Sequence, residues 1–182
     1  MKTKALALLL CACMLFSLAA CAQRDPDVPE GFLLYENEDA DYYFYYPEGW
    51  IKNRGDAGET SVYVSETDFS SVSVNAFTFS SEYASLTDYA ERFYVPELEK
   101  HFSSVKVDYN QDGSLKTSVL KIDDCDAISF SYSATLGEEY SFRVWFISYN
   151  GYLYSVLYTA KAELYDTNFN AAEQIALNIQ FK

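Results

Sequence analysis

The chain has 182 residues, 18% of them aromatic, with 27 acidic against 13 basic side chains and a net charge of −14. That balance disfavours nucleic acid, anionic lipid head groups and anionic wall polymers as partners. Basic proteins, divalent cations and neutral glycans remain electrostatically permitted.

Lys2 and Lys4 precede an apolar run from Ala5 to Leu18, which closes in Leu18-Ala19-Ala20-Cys21. The run falls short of the roughly 20 apolar residues that span a bilayer and has the length of a signal-peptide core. Small residues before a cysteine form the lipobox of a bacterial lipoprotein, in which cleavage falls before Cys21 and the Cys21 thiol accepts a diacylglyceryl group. Two or more acyl chains at one site anchor stably where one chain is marginal. The sequence thus divides into a lipoprotein signal peptide (1–20), a lipidated tether (21–30) and a single domain (31–182) held outside the cytoplasmic membrane. Removing residues 1–20 takes away Lys2 and Lys4 and no acid, leaving a net charge of −16. Cys11 and Cys13 leave with them and Cys21 carries lipid, so Cys125 has no partner for an internal disulfide. Packing must hold the domain together, and a chain of roughly 160 residues buries about 70% of its unfolded surface.

Most of the domain reads as strand. Tyr42 to Tyr46 is an aromatic run stopped by Pro47-Glu48-Gly49, and Trp50 to Lys52 resumes in extended form. Ser61 to Ser65 and Ser71 to Phe79 alternate apolar with small polar residues. Leu86 to Phe102 spaces Leu86, Tyr89, Phe93, Leu98 and Phe102 as a helix does, with Thr87 as the expected N-cap and Pro96 interrupting or kinking it. Val105 to Tyr109 and Leu115 to Ile122 read as strands around a polar turn. Ile128, Phe130, Tyr132 and Ala134 then alternate with Ser129, Ser131 and Ser133. Two long β-rich runs, Tyr140 to Tyr149 and Tyr152 to Ala160, flank Asn150-Gly151, the pair that a hairpin turn with positive φ favours. Both runs are apolar on both faces, which predicts a central hairpin covered on both sides. Thr167 to Leu177 is the second helix, starting at Asp166 or Thr167, with Phe169, Ala172, Ala176 and Ile179 on one stripe.

The order of these motifs resembles the PsbP family. Phe44 to Trp50, FYYPEGW, matches the family's aromatic strand followed by Tyr-Pro and Gly-Trp. LTDYAERF (Leu86 to Phe93) is similar to its first long helix, DAISFSY (Asp126 to Tyr132) to the following central strand, and NGYLYSVLYTA (Asn150 to Ala160) to the strand before the last helix. The family usually closes in Ser-Phe, whereas this chain has Gln180-Phe181. The resemblance implies an α+β fold, an α/β/α sandwich whose mainly antiparallel sheet is flanked by helices. Plant members serve the oxygen-evolving complex; bacterial members include lipoproteins, and nothing in this chain points to photosynthesis.

Candidate chemistry is sparse. Asp108, Asn110, Asp112 and Gly113 match the first half of a calcium loop, but Lys116 and Val119 stand where its second half needs oxygen ligands. A polar turn explains the same residues through their backbone preferences. Asp123, Asp124 and Asp126, and Glu138-Glu139, read as solvated turns. His101 is the only histidine, and Cys125 lies among aspartates that disfavour thiolate. No nucleophile elbow, phosphate-cradling glycine loop or zinc signature occurs, so no catalysis and no cofactor are expected. Seventeen tyrosines exceed what a core alone needs, because a buried hydroxyl requires a partner. Tyr152, Tyr154 and Tyr158 share one face of the hairpin. If uncovered, they form a platform suited to sugar rings or to a partner protein. The expected function is a membrane-anchored, extracytoplasmic, non-catalytic binding or scaffold module for another envelope protein; the alternative is a glycan-binding lipoprotein using the tyrosine face.

Overall fold

The computed structural model describes residues 28–54 and 60–182. The expected signal peptide and Cys21 lie outside the described residues. Gly31–Lys182 forms one compact unit.

Two antiparallel sheets and two helical segments build it. The strands are β1 (Phe32–Glu36), β2 (Tyr42–Pro47), β3 (Ile51–Arg54), β4 (Thr60–Tyr63), β5 (Ser71–Thr78), β6 (Val105–Val107), β7 (Ser118–Ile122), β8 (Cys125–Leu136), β9 (Glu138–Tyr149), β10 (Tyr152–Lys161) and β11 (Gln180–Phe181). The large sheet runs β3-β4-β5-β10-β9-β8-β6, with β7 also paired to β8; the small one runs β1-β2-β11. Helix α1 spans Leu86–Tyr89, a π-helical turn over Ala90–Tyr94, and Val95–His101; α2 spans Tyr165–Leu177.

The β9–β10 hairpin is central, as the apolar character of both its faces requires, and Asn150 and Gly151 turn it with φ of 48° and 80°. Phe142, Val144 and Phe146 point to one layer, where they meet Leu86, Ala90, Val95 and Leu98 of α1. Trp145 and Ile147 point to the other, where they meet Ala172, Ile175 and Ala176 of α2 together with Tyr35, Phe44 and Tyr46 of the small sheet. Burying a large apolar side chain is worth about 1.5–3 kcal/mol, so each layer is secured by its own set of such residues.

Three details depart from the sequence expectations. The second cover is a helix plus a three-stranded sheet, because β1 and β11 clasp β2 from either side. The α1 cap is Ser85, not Thr87: the Asp88 amide donates to Ser85 Oγ at 3.1 Å, and the Asp88 carboxylate accepts from the Ala84 amide at 2.9 Å. α2 begins two residues before Thr167 and has no side-chain cap. Pro96 does not break α1. Proline cannot donate to a carbonyl four residues back, and a π turn just ahead of it, with the Val95 amide donating to Ala90 O, carries the helix past that gap.

Candidate functional site

Among the described residues, helix α1 lies over β8 and β9, leaving the same face of β10, β5, β4 and β3 without a helix. What faces that space follows from the two-residue period of the strands. Val72 and Val74 of β5 turn into the α2 layer, so Ser71, Ser73, Asn75 and Phe77 turn out. The ladder sets Leu153 opposite Phe77, Ser155 opposite Asn75, Leu157 opposite Ser73 and Thr159 opposite Ser71. Beyond them Ser61 and Tyr63 of β4, and Asn53 of β3, continue the same face.

Two cavities lie side by side on this face, Leu157 of the first being the ladder partner of Ser73 of the second, and together they make up the trough. The inner one, of about 570 Å³, lies between α1 and the β5–β10 ladder; Asn75, Phe77, Tyr83, Tyr89, Phe93 and Ser155 are among its lining residues. The outer one, of about 540 Å³, is lined by Asn53, Ser61, Tyr63, Phe69, Ser71, Ser73 and Thr159. Both volumes fall in the range of small-molecule sites.

The inner wall owes its shape to the π turn. In a regular α-helix, residues five apart diverge around the axis; here Tyr89 and Tyr94 both stack edge-on against Phe146, with centroids at 5.4 and 4.9 Å. Phe93 leans on Tyr89 at 5.4 Å. Arg92 lies over the Tyr83 ring at 5.4 Å and is neutralised by Asp88 at 2.9 Å. Burial, with smaller contributions from Tyr94 and Tyr83, pushes the Tyr89 hydroxyl up to about 12, so this phenol is uncharged at ordinary pH.

The floor is polar and unpaired. Among the described residues, the side chains of Ser71, Ser73, Asn75, Ser155 and Thr159 make no hydrogen bond with the protein. Among the described residues, Glu82 is the only carboxylate in either lining, and no lysine, histidine or cysteine joins it. The arrangement offers neutral donors, acceptors and ring faces, and it lacks the nucleophile–base or acid–base pair that hydrolysis or group transfer needs.

The sequence pointed to a different face for binding. Tyr152, Tyr154 and Tyr158 do share a side of β10, but it is the side under β2, β11 and α2. Tyr154 is 1% exposed, its hydroxyl donating to Asp41 Oδ2 at 2.5 Å; Tyr158 is fully buried and donates to Tyr165 O at 2.8 Å. Only Tyr152 reaches solvent. The expected platform is therefore core, because the small sheet covers Tyr154 and α2 covers Tyr158, whose hydroxyl finds Tyr165 O, contacts that periodicity alone does not reveal. The signal for the trough was present in the alternation of Ser71, Ser73 and Asn75 with Val72 and Val74, a polar face on a strand that proves to be interior to the sheet.

Asp108, Asn110 and Asp112 lie in a tight turn closed by the Tyr109–Leu115 bridge. Asn110 Nδ2 donates to Ser114 Oγ at 3.0 Å, and Asp112 Oδ1 accepts from the Ser114 amide and hydroxyl at 3.0 and 2.6 Å. Those bonds hold the Asp112 carboxyl below the usual range and direct its oxygen back into the turn. Calcium at low millimolar concentration is expected to leave the melting temperature unchanged. A saturable rise that Asp112→Ala abolishes would reassign the turn as a cation site.

The remaining acids diverge. Asp123 accepts from the Phe181 amide at 2.8 Å and so holds β11, Asp126 pairs with Lys121 at 2.7 Å, and Glu138 and Glu139 pair with Lys161 and Lys106. His101 stands 3.7 Å from Glu97 on the exposed side of α1. Burial first, and Asp123 next, push the Cys125 thiol up.

A large antiparallel sheet between a helix and a helix-plus-sheet layer defines an α+β sandwich domain. The family model PsbP matches residues 30–176, and the chain belongs to that family. Solved structures agree in fold. The solution structure of cyanobacterial PsbP (CyanoP) from Synechocystis sp. PCC 6803 superposes with a TM-score of 0.57 at 14% identity, covering 90% of this chain and 100% of that one. LpqN of Mycobacterium tuberculosis, described as involved in cell envelope biogenesis, gives 0.53 at 12% identity over 88% and 87%. The Saccharomyces cerevisiae Ran-binding protein Mog1p gives 0.53 at 10% identity over 82% and 95%. No curated protein matches the chain.

Proposed function

We propose that this chain is a lipid-anchored, extracytoplasmic, non-catalytic binding module whose working surface is the trough beside α1. The observation that carries the proposal is the trough's lining: exposed rings and unpaired neutral polar groups, with no pair able to move a proton or attack a bond. The Ran-binding description of Mog1p and the envelope description of LpqN support a binding role, and a partner at the cell envelope, for this fold. The LAAC sequence at Leu18–Cys21 supports anchoring, and no helix among the described residues is long and apolar enough to cross a membrane. Another envelope protein would engage the rim, where Phe69, Phe77 and Phe93 are exposed.

Two measurements on the full chain expressed in a lipoprotein-processing bacterium test this. Mass spectrometry should find an N-terminal diacylglyceryl Cys21, with Cys21→Ser unprocessed; an intact Met1 in the wild type would remove the anchoring claim. A benzophenone amino acid replacing Phe77 or Phe93 should give adducts in native membranes, whereas one replacing Val119, 81% exposed on β7, should not. Equal labelling at all three positions would overturn the trough as the working surface, and so would no labelling together with no ligand bound there.

A further inference from the structure

We propose that the trough binds a neutral oligosaccharide, lying along the β5–β10 ladder from the α1 wall toward β4. The inference rests on the binding-module reading and names the ligand class for its surface.

The floor narrows the choice first. Alternate side chains recur about 6.8 Å apart along a strand, and neighbouring strands lie about 4.8 Å apart. Ser71, Ser73, Asn75, Ser155 and Thr159 therefore form a two-dimensional lattice of donors and acceptors without protein partners. A chain of hydroxylated rings answers such a lattice with hydroxyls of its own, exchanging bound water for equivalent bonds. An extended peptide binding by strand addition needs an unpaired strand edge. β4, β5 and β10, which carry the floor, are each paired on both sides and offer none; among the described strands on this face only the outermost, β3, has a free edge. Serine is also depleted where proteins meet proteins, yet it dominates this floor.

Charge narrows it further. Among the described residues no cation lines either cavity to meet a phosphate, sulfate or carboxylate, and nearby Arg92 is committed to Asp88; a net charge of −14 also repels anions at longer range. Among the described lining residues a cationic ligand would find only Glu82. What remains is neutral and polar with apolar ring faces. Phe77 is 51% exposed and Phe93 43% exposed beside the inner cavity, and Phe69 is 73% exposed at the outer one, stacked on Tyr63 at 6.4 Å. Flat exposed rings at both ends of a hydroxyl-lined floor suit the C–H faces of sugar rings, and two adjoining cavities suit several rings better than one.

The test uses the full chain purified in a detergent without a sugar head group, titrated calorimetrically with cellohexaose, chitohexaose, maltohexaose and hexagalacturonate. At least one neutral hexasaccharide should bind saturably, and hexagalacturonate should not. The double variant Phe77→Ala, Phe93→Ala should weaken that binding about tenfold or more, as loss of central contacts does. Asn75→Leu, which keeps the volume and removes the polar group, should weaken it too, with Val119→Ala unchanged. Both altered surfaces are away from the buried core, and melting curves matching the wild type will confirm folding. Absence of saturable binding to any neutral sugar, or binding that the trough variants leave intact, would overturn the inference. If no sugar binds but the benzophenone at Phe77 captures a protein, the occupant is a polypeptide and the binding-module reading stands. If both experiments are silent, both fall.

Discussion

Phe146→Ala is expected to destabilise the domain by about 3–5 kcal/mol, the cost of removing a fully buried ring whose neighbours cannot collapse into the space. Phe146 sits on the central strand β9, and its ring meets Tyr89 and Tyr94 of α1 and Phe130 of β8. These neighbours belong to two different elements fixed by their own pairings, so the cavity stays open. Because Tyr89 also lines the trough, the variant should damage the inner wall as well. Urea denaturation should show a lowered midpoint with an unchanged slope. Phe93→Ala, at a half-exposed position only one helix turn away, should cost well under half as much. Equal losses at the two positions would mean that α1 is held to the sheet by its exposed side, contrary to the packing described.

How much of this was legible depends on the range of the interaction that decides each feature. The β9–β10 hairpin was readable because Asn150-Gly151 fixes its own backbone and both flanking runs show their burial in composition. The α1 stripe was readable for the same reason. The cap of α1 was misplaced by two residues because Ser85 and Thr87 are equally competent caps, and the reciprocal bond from Ala84 to Asp88 decides between them. Of the small sheet only β2 left a local trace, the aromatic run from Tyr42 to Tyr46. β11 is two residues long, and it exists because Tyr43 donates to Gln180 and Asp123 accepts from the Phe181 amide, contacts between residues far apart in the chain. That one missing layer also relocated the candidate site. With the small sheet over Tyr154 and α2 over Tyr158, both become core, and the open part of the large sheet shifts to the opposite face. Side-chain parity along β10 was right; which face would be covered is a property of the whole fold.

Gly151→Val should destabilise the domain by about 1–3 kcal/mol, since a β-branched residue held at a left-handed φ is strained by that order. The Gly151 φ of 80° is the second of the two positive values that turn β9 into β10. No atom lies within 4 Å of the position a Cβ would take, so the penalty is backbone strain and not a clash. Gly151→Asn therefore separates the two causes: asparagine occupies more space than alanine yet tolerates the left-handed region, and it should cost only a few tenths of the valine effect. The consequence reaches the trough. Gly151 O accepts from the Phe79 amide at 2.9 Å, tying the end of β5 to the turn, while Phe77 faces Leu153 two residues into β10. If valine shifted the register by one residue, Leu153, Ser155 and Leu157 would exchange faces with Tyr154, Val156 and Tyr158, so the polar floor and the core could not both survive. Thermal melts of the two variants decide the matter. A valine variant as stable as wild type, or an asparagine variant as damaged as the valine one, would show that the hairpin does not depend on the turn geometry.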